Sequence, residues 1–185
     1  MQAASRRQLT TTSALPGAHD DPGAEAASTQ YLTFTLTDKV FAMDIRTVRE
    51  IIQHGAITTV PLMPDFVRGI INLRGAVVPV IDLHARFGWP AGRIGKKTCI
   101  VIFDASRQGE RCELGLLVDS VSEVVDIPAT QIEPVPDFGT AVQRDFIRGI
   151  GKLQDRFVIL LEPDQAFDIE AMAQLCEGSR ALLAA

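Results

Sequence analysis

Covalent and metal chemistry find little to work with in this 185-residue chain, which holds only three cysteines and three histidines. Cys99, Cys112 and Cys176 cannot all pair with one another and show no Cys-x-x-Cys spacing. The first two lie in apolar strand-like runs, so the cysteines read as reduced packing residues of a cytosolic protein. His19, His54 and His84 are scattered, without the His-x-x-x-His or paired Cys/His spacing of a metal site, and none is expected. There is no Gly-x-Ser-x-Gly, and neither His54 nor His84 has an evident nucleophile to serve, so no catalytic residue is expected. Basic residues are also in short supply, 18 against 23 acidic for a net charge of −5. That balance excludes a protein whose main task is gripping phosphate backbones, and nucleic acid is not an expected partner. No run of 18 apolar residues exists that could form a membrane-spanning helix.

Three partial motifs fail on inspection. In Gly92–Thr98 (GRIGKKT), a phosphate loop needs glycine five positions before Gly95, where Pro90 stands, and Lys96 is followed by Lys97 instead of Ser or Thr. A solvated basic loop is the simpler reading. Gly149-Ile150-Gly151 begins like a dinucleotide fingerprint, yet the third glycine position holds Gln154 and a strand should follow. No cofactor is expected. Ser5-Arg6-Arg7 resembles the start of an export signal, but no apolar region follows it. Residues 1–29, rich in Ala, Thr, Ser, Gly and Pro, read as a disordered tail, and residues 179–185 as a C-terminal tail. A cytoplasmic location follows.

What the chain does contain is a duplication. FVRGIINLRGAVVPVIDL, from Phe66 to Leu83, returns as FIRGIGKLQDRFVILLEP from Phe146 to Pro163, an offset of 146 − 66 = 80. Upstream, VFAMDIRTVREII from Val40 aligns with ELGLLVDSVSEVV from Glu113 at 123 − 50 = 73, with Glu50 and Glu123 in register. The 7-residue difference falls between blocks, where loop length is tolerated because closure entropy grows logarithmically. A repeat of this length is the size of a small domain. One domain of residues 30–178 is expected, with lobe one at about 38–97 and lobe two at about 98–163, the N-terminal strand and a C-terminal helix packing across.

Within each lobe, short apolar runs separated by turn residues predict strands. Thr33–Leu36 and Val40–Ile45 form a hairpin, and a helical turn at Arg46–Val48 precedes a short strand. Ile70–Leu73 and Ala76–Leu83 form the next hairpin around Arg74-Gly75, where glycine supplies the positive φ. Pro79 cannot donate a ladder hydrogen bond, which places it on an edge strand or at a bulge. Asp82–Gly88 reads as a short helix capped by Asp82 and closed by Gly88, and Trp89 as packing between the lobes. Thr98–Ala105 and Glu110–Asp119 open lobe two as a hairpin around Ser106–Gly109. Asp164–Glu177 has the apolar spacing of an amphipathic C-terminal helix. The fold class is all-β, a barrel or sandwich. Ile51, Ile52, Ile57 and Val60 exceed what one strand face can hide, and Glu50 with Arg74 is a candidate charge pair. Arg74-Gly75 becomes Gln154-Asp155 in the second copy, so the first turn keeps a positive charge that folding alone does not require.

The tandem lobes, the VREI segment and the run DFVRGIINLRGAVVPVIDL resemble the CheW family of bacterial chemotaxis adaptors, from about Tyr31 to Leu175. The resemblance implies two intertwined five-stranded SH3-like β-barrels plus a C-terminal helix that packs across. It implies no catalysis and two partners: the hairpin tip of transmembrane chemoreceptors and the regulatory domain of the histidine kinase CheA, itself a double barrel. Membrane association would come only through receptors, at arrays on the inner face of the membrane, and the isolated protein would be monomeric. Carried over by motif, the receptor groove between the lobes involves Val48, Glu50, Gly69, Arg74 and Val124. The kinase contact involves Ile57 and Val60 on lobe one, and a ring-closing contact involves Pro136, Asp137 and Phe138. Glu133 departs from the basic residue some relatives carry beside that loop. An adaptor of a parallel non-flagellar pathway is the nearest alternative. The competing class, an enzyme or small-molecule-binding barrel, requires a polar pocket with a perturbed acid or base, which the sequence does not display.

Overall fold

Apolar runs rich in β-branched residues, cut by turn residues, yield eleven strands in the described residues of the computed structural model, which are 28–107, 110–135, 146–153 and 156–163. The first copy of the repeat supplies β1 (Ser28–Leu36), β2 (Lys39–Asp44), β3 (Val48–Gln53), β4 (Val67–Leu73) and β5 (Ala76–Asp82). A four-residue helix, α1 (Leu83–Arg86), follows β5. The second copy supplies β6 (Cys99–Arg107), β7 (Glu110–Val118), β8 (Ser120–Pro128), the two-residue β9 (Ile132–Glu133), β10 (Ile147–Leu153) and β11 (Arg156–Leu161). β1 begins at Ser28, inside the stretch read as tail, because Ser28 and Thr29 pair with Pro128 and Ile127. The expected C-terminal helix, the Gln154-Asp155 turn and most of the 1–29 tail lie outside the described residues.

The strands form two sheets, ordered β8-β1-β2-β11-β10-β9 and β3-β6-β7-β5-β4. Sheet membership cuts across the expected division at residues 97/98. The β6–β7 hairpin, expected to open the second lobe, lies in the sheet of β3, β4 and β5, and the β1–β2 hairpin lies with β8, β10 and β11. Each copy of the repeat has handed its first hairpin to the other. The five-stranded sheet is therefore one continuous stretch, β3 through β7, and the six-stranded sheet joins the two ends of the chain around it. Two parallel contacts seat the exchanged hairpins, Leu160↔Ala42 and Val80↔Gly115. These are the same contact in the two copies, since 80 + 80 = 160 and 42 + 73 = 115.

The chain passes between sheets at two places. After β2, a 3-10 turn at Ile45–Thr47 is capped by Asp44, whose carboxylate accepts from the backbone N–H of Arg46 at 2.9 Å and from Arg46 Nε at 3.0 and 3.1 Å. After β7, Asp119 makes the second passage, accepting from the backbone N–H of Thr37 at 2.6 Å. Its own N–H donates to the Thr35 carbonyl. The helical turn before β3 falls one residue earlier than expected, and Asp82 does cap α1, accepting from the N–H groups of His84 and Ala85.

Pro79 stands in neither of the expected contexts, an edge strand or a bulge. β5 is interior, between β4 and β7. Opposite Pro79, Ile70 spends its N–H and carbonyl on Thr58, so the Ile70↔Pro79 pair exchanges no ladder bonds, and pairing with β7 starts only at Val80. The missing donor is left where no strand asks for it.

Burial divides into three clusters. The largest lies between the sheets and draws on both, with Phe34, Phe41, Met43 and Leu161 from one and Val101, Phe103, Leu114 and Leu116 from the other. Ile71, Val78, Val80, Ile100 and Ile102 fill the far face of the five-stranded sheet; Tyr31, Ala42, Ile127, Val158 and Leu160 fill that of the six-stranded one. Trp89 packs on Phe41 of β2 and on Phe87 after α1, with ring centroids 6.2 and 5.1 Å away, and so joins the two lobes. Half-buried Cys99 and Cys112 pack against the central cluster.

Gly69 is held by geometry that admits no side chain. Its φ of +143° lies outside the range of L-residues, and a Cβ there would stand 2.3 Å from the Thr58 carbonyl oxygen. Gly69→Ala is therefore expected to lower urea-unfolding stability by about 2–4 kcal/mol. Gly55→Ala, with no atom within 4 Å, should stay within about 0.5 kcal/mol. The Asp44 cap gives a pH test. Its hydrogen bond from the Arg46 side chain holds the carboxyl below its ordinary range, outweighing the opposing effect of burial. Stability from this depressed carboxyl is present above the unfolded value of about 3.9 and is lost as pH falls through the folded value. Asp44→Asn keeps a capping side chain, so the stability gap to wild type should be widest near neutrality and close below about pH 4.

Candidate functional site

The candidate residues on lobe one lie on β3, on β4, at the turn after β4 and on the segment between the two strands. Val48 begins β3 and packs its half-buried side chain on the central cluster. A bulge at Arg49 then shifts the register between Val48↔Phe103 and Glu50↔Ile102. Glu50 consequently takes the face of Ile102, and Arg74 donates to its carboxylate at 3.0 Å. Arg74 and Gly75 both have positive φ, 51° and 89°, as a two-residue hairpin turn of the primed type requires. Expectation had assigned positive φ to the glycine alone. An arginine in this region is strained by about 1–2 kcal/mol, and 80% of its side chain is exposed.

Gly69, in β4, lies against Ile57 and Thr58. Ile57 packs half-buried on the outer cluster of its sheet, and Thr58 bridges to Ile70. Val60 is half-buried on the loop beyond. Val124 stands on β8 of the other sheet, 46% exposed, and pairs with Leu32 of the central cluster. The fold thus brings Glu50 to Arg74 and Gly69 to Ile57, while Val124 occupies a separate lobe. Pro136, Asp137 and Phe138 lie outside the described residues.

The charge asymmetry expected between the copies is not present. Glu123, the counterpart of Glu50, accepts from Arg156 at 2.8 Å. Arg156 stands two positions beyond the residue aligned with Arg74, just after the turn instead of within it. Each lobe therefore carries one Glu–Arg clasp from its third strand to the end of its last hairpin, and the repeat register of Glu50 and Glu123 was the signal for the second. The same symmetry relates exposed Ile51 (42%) on β3 to Val124 on β8. Phe66 and Phe146, also counterparts, flank one guanidinium: Arg86 lies 5.0 Å from the first ring centroid and 4.2 Å from the second. Burial lowers the Arg86 pKa from its ordinary value.

Buried His84 lies at the junction of the sheets, 3.4 Å from Thr37 Oγ1 and 3.5 Å from Asp119 Oδ2. It faces the passage between sheets. Among the described residues, no three His, Cys, Asp or Glu side chains stand together in a metal-holding group, and no helix is long and apolar enough to cross a membrane.

The family model described as the CheW-like domain matches residues 30–171. The chain belongs to the CheW family. The chemotaxis protein CheW of Klebsiella aerogenes is 33% identical over 165 residues, covering 89% of this chain and 93% of that protein. The probable chemotaxis protein CheW of Rhizobium etli is 37% identical over 139 residues, covering 75% and 86%. The crystal structure of the scaffolding protein CheW from Thermoanaerobacter tengcongensis superposes with a TM-score of 0.68 at 35% identity, over 77% of this chain and 94% of that one.

Double-mutant cycles on Glu50–Arg74 and Glu123–Arg156 should give coupling energies of about 0.2–1 kcal/mol in each lobe, shrinking with added salt because both pairs face solvent. A coupling above about 2 kcal/mol in lobe one alone would restore the asymmetry.

Proposed function

We propose that the chain is a non-enzymatic adaptor coupling transmembrane chemoreceptors to the histidine kinase CheA, in arrays at the cytoplasmic face of the membrane. The observation that carries this reading is the match to the CheW-like domain across residues 30–171, supported by relatives named for chemotaxis that align over most of their own length. Each sheet is read as an SH3-like barrel. In support, the two edges of each sheet are consecutive in the chain: β8 leads within four residues to β9, and β3 within five to the Thr58 bridge. A sheet whose first and last strands adjoin curls on itself and leaves little open edge.

The receptor's helical tip is assigned to Val48, Glu50, Gly69, Arg74 and Val124, between the lobes. Val48 and Val124 offer apolar contact and the Glu50–Arg74 clasp offers direction, the combination that interface hot spots require. Gly69 serves indirectly, by letting Ile57 and Thr58 lie close against β4. The kinase's barrel is assigned to the lobe-one edge at Ile57 and Val60, and the ring-closing contact to Pro136, Asp137 and Phe138.

Reconstitution tests the whole reading. Added to receptor-containing membranes with the cognate kinase, the chain should raise kinase autophosphorylation and be retained with both partners; unchanged activity with neither partner retained would end it. Arg74→Glu sets two carboxylates against each other at the clasp and should weaken receptor retention by about tenfold, or about 1.4 kcal/mol. Retention at the wild-type level would remove Arg74 from the groove.

A further inference from the structure

Leu62 is the one large apolar residue of the described chain whose side chain is fully exposed, at 103% of its reference area, and its backbone is in the left-handed region with φ 63°. An exposed leucine alone is ordinary, whereas a leucine at positive φ is uncommon. Together they are costly, because a leucine at positive φ strains the backbone and a leucine in water forfeits burial. Glycine or asparagine would relieve the first cost, and a polar residue the second.

The surrounding loop fixes the side chain outward. Met63 and Phe66 on one side pack against the central cluster, Ile57 on the other packs against the outer one, and the Val67 N–H donates to the Pro64 carbonyl at 2.8 Å. Pro61 and Pro64 flank Leu62 and limit the loop's freedom. Leu62 is thus a rigid apolar knob whose presentation costs little further ordering on binding. Its surroundings are nearly uncharged: residues 54–66 contain no lysine or arginine and one carboxylate, Asp65. Such a surface suits an apolar pocket on a folded partner better than a charge-steered one.

We propose that Leu62 anchors the lobe-one contact with the kinase, inserting into an apolar pocket on the kinase's own β-barrel. This rests on the placement of the kinase at Ile57 and Val60, with which Leu62 is continuous: it lies two residues beyond Val60 on the loop that leaves the Thr58 bridge. The knob fills the pocket, and the paired barrel edges exclude water around it.

The test uses the full chain, the full-length cognate kinase and Leu62→Asn, which removes the knob while relieving the backbone. The melting temperature should hold or rise by about 2 °C, and the dissociation constant for the kinase should rise at least about tenfold. Leu62→Met, which keeps the apolar volume, should bind within about threefold of wild type. A more stable variant that binds worse cannot be explained by misfolding. Wild-type affinity for Leu62→Asn, while the wild-type chain binds kinase, overturns the proposal and leaves the adaptor reading standing. A loss of receptor retention or of self-association in place of kinase binding overturns the assignment of the occupant. Failure of the wild-type chain to bind kinase at all overturns the adaptor reading and the proposal with it.

Discussion

Two short parallel contacts, Leu160 beside Ala42 and Val80 beside Gly115, hold the molecule to its topology. Each seats a hairpin from one copy of the repeat beside the last strand of the other copy. Small residues, Ala42 and Gly115, stand at both contacts; a Cβ at Gly115 would lie 2.7 Å from an Ile100 methyl group of its own hairpin and 3.5 Å from a Val80 methyl group across the parallel contact. Because the hairpins are exchanged, neither lobe can complete its sheet without strands from both copies. The central cluster, built from both sheets, then makes the lobes one cooperative body.

The repeated irregularities show that the two copies solve the same local problems. β4 and β10 shift register at Arg68 and Arg148, and β3 and β8 shift just before Glu50 and at Glu123. On β1, the buried Thr33 hydroxyl fills the gap this creates, donating to the Glu123 carbonyl and accepting from its N–H. Such bulges turn a strand between a shared core and an outer one, which is how a nine-residue strand serves two clusters. The Glu–Arg clasps belong to the same design. Their duplication assigns them a structural role in both lobes, so any receptor-binding role of Arg74 is added to one that folding already uses.

The alternation of apolar residues, Gly-containing turns and the Asp82 cap were legible because their causes lie within a few residues. So was the duplication. Arg156 was not, because its equivalence to Arg74 is set by where the guanidinium reaches in the folded lobe, and two residues of offset hide that from an alignment. Leu62 was hidden for a related reason: its exposure is set by Met63 and Phe66 packing inward on one side of it and Ile57 on the other. Neither φ nor exposure is written in a Pro-Leu-Met-Pro segment by itself. Pro79 misled in the same manner, since whether a proline strands a neighbour depends on which side of it carries the next strand.

The sequence by itself determined that the protein is a duplicated all-β chain, where its hairpins turn, and, through a motif long enough to be distinctive, its family. These follow from local periodicity and from comparison of residues at fixed offsets. Only the tertiary structure decided which hairpin joins which sheet, that both lobes carry a clasp, and which apolar side chains are left in water. Strand exchange leaves every local pattern unchanged: a hairpin has the same alternation and the same turn whichever sheet receives it. The choice is made by side chains far apart in the chain, such as Ala42 and Leu160, meeting across a shared core.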